Sequence, residues 1–149
     1  MTDPLVETWQ IHNRIHIYLL QALKPEDLPL PLSIKGRTVS DVLVHTHSVR
    51  LMWLKAAAPD LLERVEKVAH GAGVTREQLK GAFEASGAAI TELLARAISN
   101  GGRVKGFKPH VAAFVGYLIS HESHHRGQAV LALRNAGRPL DKKISYGLW

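Results

Sequence analysis

Apolar residues recur with the period of an α-helix through four long segments of this chain, and proline and glycine clusters separate them. Pro25, Pro29 and Pro31 follow the first segment, and the run Asn100-Gly101-Gly102 precedes the last. No run of residues alternates in the way that predicts a β-strand. This pattern predicts an all-α fold, and four long helices are typical of a four-helix bundle.

The 149 residues are enough for one domain, which we expect to span residues 1–149. Asp3 is placed to cap the first helix, and Thr75 with Gln78 has the spacing of a capping box at the third. The tail from residue 140 looks irregular, but its apolar Leu148 and Trp149 are expected to pack on the bundle. The predicted long helices span residues 4–24, 40–58, 76–99 and 109–136, with a weaker helical turn over 59–69. The long connection between the first two leaves the order of the helices open.

Composition narrows the chemistry, because the chain has no cysteine and nine histidines. Without cysteine there are no disulfides, thiolate-bound zinc, iron–sulfur clusters or cysteine nucleophiles. Imidazole is the remaining nitrogen ligand, and the remaining base that titrates near neutral pH. The positions of the histidines are therefore the main evidence for what chemistry this chain can perform.

The net charge of +6 comes from the second half of the chain, notably residues 103–108 and 134–143. These basic residues are not interleaved with aromatic ones, so a solvated surface explains them and we expect no nucleic-acid partner. The first residues include Asp3 and Glu7 and lack the features of a secretory signal peptide. The longest apolar run, 111–119, is far shorter than the roughly 20 residues of a membrane span. We expect a cytoplasmic protein without a membrane segment.

The last long helix carries a histidine-rich stripe beside an apolar one. His121 and His125 are one turn apart, which directs both imidazoles to one point and is typical of a helical metal-binding pair. Two hydrogen-bonded core histidines would have the same spacing. The residues of the stripe are His110, Phe114, Tyr117, His121, His125 and Gln128, with His124 at its edge.

A third ligand has to come from another helix, and the second helix offers His45 and His47. Both lie on apolar faces, so spacing alone leaves the choice between them open. On the first helix, His12 and His16 share an apolar face with Trp9. They either line the metal pocket, form a separate metal pair, or are buried polar residues with local hydrogen bonds.

The letters His121-Glu122-x-x-His125 also match the H-E-x-x-H motif of zinc peptidases, in which the glutamate is the general base. The longer motif fails, since Gln128 and Leu131 stand where it needs glycine and histidine. No glutamate follows Glu122 to act as a third ligand. A metallopeptidase is therefore a minor alternative. Glu122 is expected to face solvent, to pair with Arg126, or to support the ligands.

Several stretches together resemble the DinB/YfiT-like superfamily, over about residues 9–149. They are His45 with Trp53 eight residues later, the segment HESHHRGQ at 121–128, and the ending YGLW at 146–149. The resemblance implies a four-helix protein that binds a divalent metal through His45, His121 and His125, with His124 as a neighbour. It also implies a homodimer and, in some branches, transfer of small molecules onto low-molecular-weight thiols.

We therefore expect a zinc, nickel or iron site and a metal-dependent transferase or hydrolase of a small molecule, with a thiol as a candidate cosubstrate. The candidate catalytic residues are Tyr117, Glu122, His124 and Gln128, and the candidate pocket-lining residues are His12, His16 and Trp53. One alternative is a non-enzymatic protein whose metal helps to hold an anionic ligand or nucleic acid. Another is a dimeric bundle whose histidines are structural.

Overall fold

The computed structural model describes residues 1–32 and 35–149, and all of its regular elements are helices. Residues 33 and 34, within the predicted first loop, lie outside the described part. The long helices confirm the predicted all-α bundle, with ends that lie within two residues of the predicted ones. The helices are α1 Pro4–Ala22, α2 Val39–Ala57, α3 Pro59–Leu62, α4 Arg76–Ser99, α5 Val111–Asn135 and α6 Lys142–Tyr146, with a 3-10 turn at Pro25–Asp27.

Polar side chains at the helix starts satisfy backbone N–H groups that have no partner within the helix. Asp3 accepts a hydrogen bond from the backbone of Leu5 at 2.8 Å, as its predicted role as a cap requires. Thr75 accepts from the backbone of Gln78 at 3.1 Å. His110, which the sequence left without a role, caps α5 by accepting from the backbone of Ala113.

The four long helices form a ring in the order α1, α4, α2, α5. Helix α1 packs most extensively on α4, while α2 contacts both α4 and α5. Helices that follow each other along the chain, α1 and α2, are therefore diagonally opposed. The long proline-rich connection is what allows this crossing.

The core consists of two hydrophobic clusters with a buried polar layer between them. One cluster contains Trp9, Leu54 and Phe114. The other contains Leu19 and Leu133 among its members. The polar layer is formed by side chains near the middle of the long helices, namely His12, His16, His47, Arg50, Ser86 and Glu122, each at most 4% exposed. A layer of this kind restricts which helix registers are allowed, because each polar group needs its partner.

Three expectations for the parts outside the long helices need correction. The tail is not wholly irregular, since Lys142–Tyr146 forms a short helix. Leu148 is buried as expected, but Trp149 is 95% exposed and does not pack on the bundle. The predicted turn over 59–69 is helical only at Pro59–Leu62. No helix in the described part of the chain is both long and apolar enough to cross a membrane.

Candidate metal centre

Three histidines from two helices meet between α2 and α5. The ring centroid of His45, from α2, lies 4.7 Å from that of His125 and 5.4 Å from that of His121. The His121 and His125 centroids are 4.6 Å apart. One nitrogen of each ring lies within 4.8 Å of the others, close enough for the three to share one metal ion. We call this group the histidine triad.

The spacing of the triad nitrogens fits a tetrahedral metal. The Nε2 atoms of His121 and His125 are 3.2 Å apart. Two nitrogens on a tetrahedral zinc with bonds of 2.0–2.1 Å are separated by about 3.3 Å. His45 and His121 are partly exposed, so a small molecule has a route to the triad. Three nitrogen ligands with such a route are the arrangement of catalytic rather than structural zinc sites.

Gln128 controls the tautomer of one triad member. His125 Nδ1 donates to Gln128 Oε1 at 2.8 Å, which leaves the lone pair of His125 on Nε2, facing the triad. His121 Nδ1 is buried and has no hydrogen-bond partner among the described residues. No hydrogen bond from these residues to Nδ1 therefore fixes the position of the His121 ring proton. A metal ion bound to Nε2 would fix it, because the proton would then have to be on Nδ1. Hydrogen bonds of the Gln128 kind orient metal-binding histidines in general.

The triad imidazoles are held in the neutral form, which is the form that binds metal. Burial, with the additional effect of the neighbouring His125 and His121, lowers the pKa of His45 to about 4. Burial also lowers the pKa of His121, with a further contribution from His125. The pKa of His125 is lowered by burial against the opposing effect of its bond to Gln128. At neutral pH all three rings therefore offer lone pairs.

Aromatic side chains extend from one edge of the triad. Tyr117 stacks on His121 with ring centroids 6.2 Å apart. Its hydroxyl accepts from Trp53 Nε1 at 3.3 Å, and both rings contact Phe107. Tyr117 therefore lies next to the triad, and Trp53 is one side chain further away. The candidate His124 is exposed, with its ring centroid 5.1 Å from that of His125.

The structure decides between His45 and His47, which spacing left open. His47 is fully buried on another side of α2, where its Nδ1 lies 3.1 Å from Ser86 Oγ. Its Nε2 lies 2.9 Å from the backbone oxygen of Glu66. With both nitrogens engaged in the core, His47 serves packing and is not part of the triad.

Glu122 neither faces solvent nor pairs with Arg126, contrary to those two expectations. It is fully buried, and Arg50 donates to both of its oxygens at 2.6 and 2.8 Å. Burial alone would raise the pKa of Glu122, but the charge and hydrogen bonds of Arg50, together with the hydrogen bonds of His12 and His16, hold it well below its usual range. A carboxylate held in this way is not free to act as a general base, which removes the basis for a metallopeptidase.

His12 and His16 belong to this carboxylate rather than to the triad. The Nε2 atom of each lies 3.1 Å from Glu122 Oε1, and both rings are buried. Burial lowers the pKa of His16 to about 4 and lowers that of His12 as well, so both are neutral donors at pH 7. Of the three interpretations of this pair, the one that fits these contacts is that both are buried residues with hydrogen bonds to a neighbour. Neither ring belongs to the histidine triad.

Arg50 is the residue that the sequence analysis missed. It is fully buried, with its guanidinium 4.7 Å from the Trp9 ring centroid and 4.6 Å from that of Phe83. It also donates to Asn13 Oδ1 at 2.8 Å. A signal was present in the sequence, since Arg50 continues the buried stripe of α2 that includes His47 and Leu54. An arginine on a core-facing stripe indicates a buried acidic partner.

The cluster of His12, His16 and Glu122 also has ligand-type atoms within 4.8 Å of one another. It does not fit a cation, because the Arg50 guanidinium already occupies both oxygens of Glu122. A metal ion there would face a like charge in a buried, low-dielectric place. The histidine triad is therefore the better metal site of the two.

The comparison with protein families agrees with the helical-bundle fold. A model of the DinB family matches residues 1–142. Neither the curated proteins nor the solved structures include a match to this chain. The family match covers nearly the whole bundle, including the helices that bring His45, His121 and His125 together. The chain therefore belongs to the DinB family.

Proposed function

We propose that this protein is a metal-dependent enzyme that acts on a small molecule, with a divalent metal held by His45, His121 and His125. The observation that carries the proposal is the convergence of three neutral imidazoles, of which His45 and His121 are partly exposed. The Nε2 atoms of His121 and His125 are 3.2 Å apart. When bound, such a metal supplies a Lewis acid with an open position, where a water or a thiol loses its proton more readily.

The roles of the neighbouring side chains follow from their contacts. Gln128 holds the proton of His125 on Nδ1. Tyr117 and the aromatic rings beyond it form an apolar wall beside His121 that excludes water and orients a substrate. His124, exposed next to His125, is placed to contact a substrate or to transfer a proton. A transferase that uses a low-molecular-weight thiol, or a hydrolase, is the proposed reaction class.

Metal analysis of the purified protein tests the site. We expect about one zinc, nickel or iron per chain, and we expect His45→Ala and His125→Ala to lose it. His12→Gln removes a member of the other ligand-type cluster and should keep the metal, while His70→Ala controls for loss of an exposed histidine. Full metal content in His45→Ala would refute the triad as the site.

Activity is tested separately with the metal-loaded protein. A panel of small electrophiles with common cellular thiols, and a panel of esters and amides, would separate transfer from hydrolysis. We expect turnover by the wild type and none by His45→Ala. If the metal binds but nothing is turned over, the non-enzymatic alternative is favoured.

The cytoplasmic location and the homodimer belong to the same proposal and rest on the sequence. Sedimentation equilibrium of the purified protein tests the dimer directly. Fractionation of cells that express the protein tests the location.

A further inference from the structure

A second concave site lies on the side of α5 that faces away from the triad. The groove has a volume of about 770 Å³ and is bounded by α1, α5 and the C-terminal segment. Ser123 and Gly127 line it, and each follows a triad histidine by two residues, about 200° around the helix. Its volume falls in the range of about 300–1,000 Å³ that is typical of small-molecule sites.

The walls of the groove are mainly apolar side chains from three elements. They include Ile11 and Ile15 of α1, Ile119 and Val130 of α5, and Leu148 of the tail. Ile11 and Leu131 remain 45% and 51% exposed although they are large and apolar. An apolar surface of this form is suited to the hydrocarbon body of a ligand.

Two arginines bring positive charge into this apolar surface, Arg126 and the more exposed Arg134. Arg126 lines the groove, is partly buried, and donates to Ser123 Oγ at 3.2 Å and to the backbone oxygen of Leu148 at 3.4 Å. Its Nη1 also lies 3.5 Å from His16 Nε2. These neighbours are neutral, and within the described residues Arg126 forms no ion pair with a carboxylate. Its charge therefore has no direct counter-ion.

The nearest buried carboxylate does not supply that counter-ion. Glu122 carries one negative charge, and Arg50 already donates to both of its oxygens. Arg50 within the polar layer and Arg126 beside it thus share a single nearby carboxylate among the described residues, that of Glu122. A partly desolvated cation of this kind is best complemented by an anion.

The same charge argues against a second copy of this chain as the occupant. A two-fold symmetric dimer brings identical patches together. It would bring two copies of this groove, each lined by Arg126 and Arg134, into one interface. Like charges across an interface are unfavourable, whereas an anionic ligand is attracted.

We propose that this groove binds a small amphiphilic carboxylate, with its apolar body along α1 and α5 and its carboxylate on Arg126. The planar guanidinium is suited to a carboxylate because it donates two parallel hydrogen bonds. The site is separate from the triad, so its occupancy does not require the metal.

Calorimetric titration with decanoate, below its micelle concentration, tests the site. We expect one decanoate per chain, with binding at least about tenfold tighter than that of decan-1-ol, because a hydrogen bond to a charged group has that effect. Arg126→Gln should weaken decanoate binding about tenfold and leave decan-1-ol binding unchanged. Arg14→Gln, an exposed arginine of α1 outside the groove lining, should change neither.

Two further variants separate this site from its alternatives. An added Cβ at Gly127 meets nothing within 4 Å, so a side chain has room to begin there. Gly127→Phe is expected to extend into the groove and should abolish binding of both ligands. His45→Ala should keep decanoate binding, which excludes a carboxylate bound to the triad metal. Equal affinity for acid and alcohol, or loss of decanoate binding in His45→Ala, would overturn the proposal. So would a dimer that does not bind decanoate and that Gly127→Phe converts to a monomer.

Discussion

At the scale of single residues, the hydrogen bond from His125 to Gln128 is the contact that most directly prepares the triad. Without an acceptor near Nδ1, the proton of His125 would be free to move to Nε2 and block the ligand position. We predict that Gln128→Leu weakens metal binding about 10–100-fold, as loss of such support does in other metal sites. Gln128→Glu keeps an acceptor and should retain most of the affinity.

Competition with a chromogenic chelator measures this change. Gln78→Leu is the control, because it replaces an exposed helical glutamine far from the triad in sequence. Equal metal affinity for Gln128→Leu and the wild type would show that the tautomer of His125 does not limit binding.

Glu122 is the residue on which the polar layer depends, because it is the carboxylate that neutralises the fully buried Arg50. We predict that Glu122→Gln destabilises the fold by about 3–5 kcal/mol, the usual cost of leaving a buried charge without its partner. Urea denaturation measures it. Glu84→Gln removes an exposed carboxylate 3.7 Å from Lys80 and should cost less than about 1 kcal/mol.

A double variant tests whether the unpaired charge of Arg50, rather than the loss of the Glu122 side chain itself, causes the destabilisation. Arg50→Met with Glu122→Leu removes both charges and should be more stable than Glu122→Gln alone. A loss of less than about 1 kcal/mol in Glu122→Gln would contradict the central role of this ion pair.

At the scale of elements, α1 and α4 approach most closely where Gly87 faces Asn13. A Cβ added at Gly87 would overlap the amide group of Asn13, whose oxygen is also bonded to Arg50. We predict that Gly87→Ala destabilises the protein by about 1–3 kcal/mol, because either the Asn13 amide has to give up its contact with Arg50 or the two helices have to move apart. Gly81→Ala, on the same helix with open space around it, should instead stabilise by about 0.5–1 kcal/mol.

Thermal and urea unfolding of the two alanine variants measure this difference. If both changed stability in the same direction, helix propensity rather than interhelical packing would decide the effect. The Trp9 indole, which donates to the backbone oxygen of Gly87 at 3.0 Å, offers a fluorescence signal of local repacking.

At the scale of the whole molecule, the buried histidines make stability depend on pH. The pKa of His16 is lowered by burial to about 4, below its ordinary value of 6.5. Between these two values the unfolded chain takes up a proton that the folded chain does not. The free energy of unfolding should therefore fall as the pH falls, by about 1.4 kcal/mol per pH unit for one proton.

Chelator-treated protein, unfolded with urea at a series of pH values, gives this slope. His16→Gln should show a slope smaller by about one proton over pH 4–6.5, even if its absolute stability is lower. Identical slopes for the variant and the wild type would contradict the assignment of a neutral, buried His16.

The sequence was sufficient for the helices because their signals are local. Prolines, glycines and capping residues such as Asp3 and Thr75 act on their own neighbours, and the apolar period shows which segments are helical. The pair His121 and His125 was predictable for the same reason, since one helical turn determines their spacing. The family resemblance in the segment HESHHRGQ added His45 as the third ligand, which periodicity alone did not select.

Only the tertiary structure could decide which faces meet. It placed His45 rather than His47 against α5, and it turned Glu122 towards Arg50, more than 70 residues earlier in the chain. Such pairings depend on the diagonal arrangement of α1 and α2. They also depend on burial, because a charged side chain in the core has to pair with an opposite charge there. The sequence by itself determined the helices and the spacing of His121 and His125. Packing between distant segments determined which third histidine joins that pair, the buried carboxylate network and the groove.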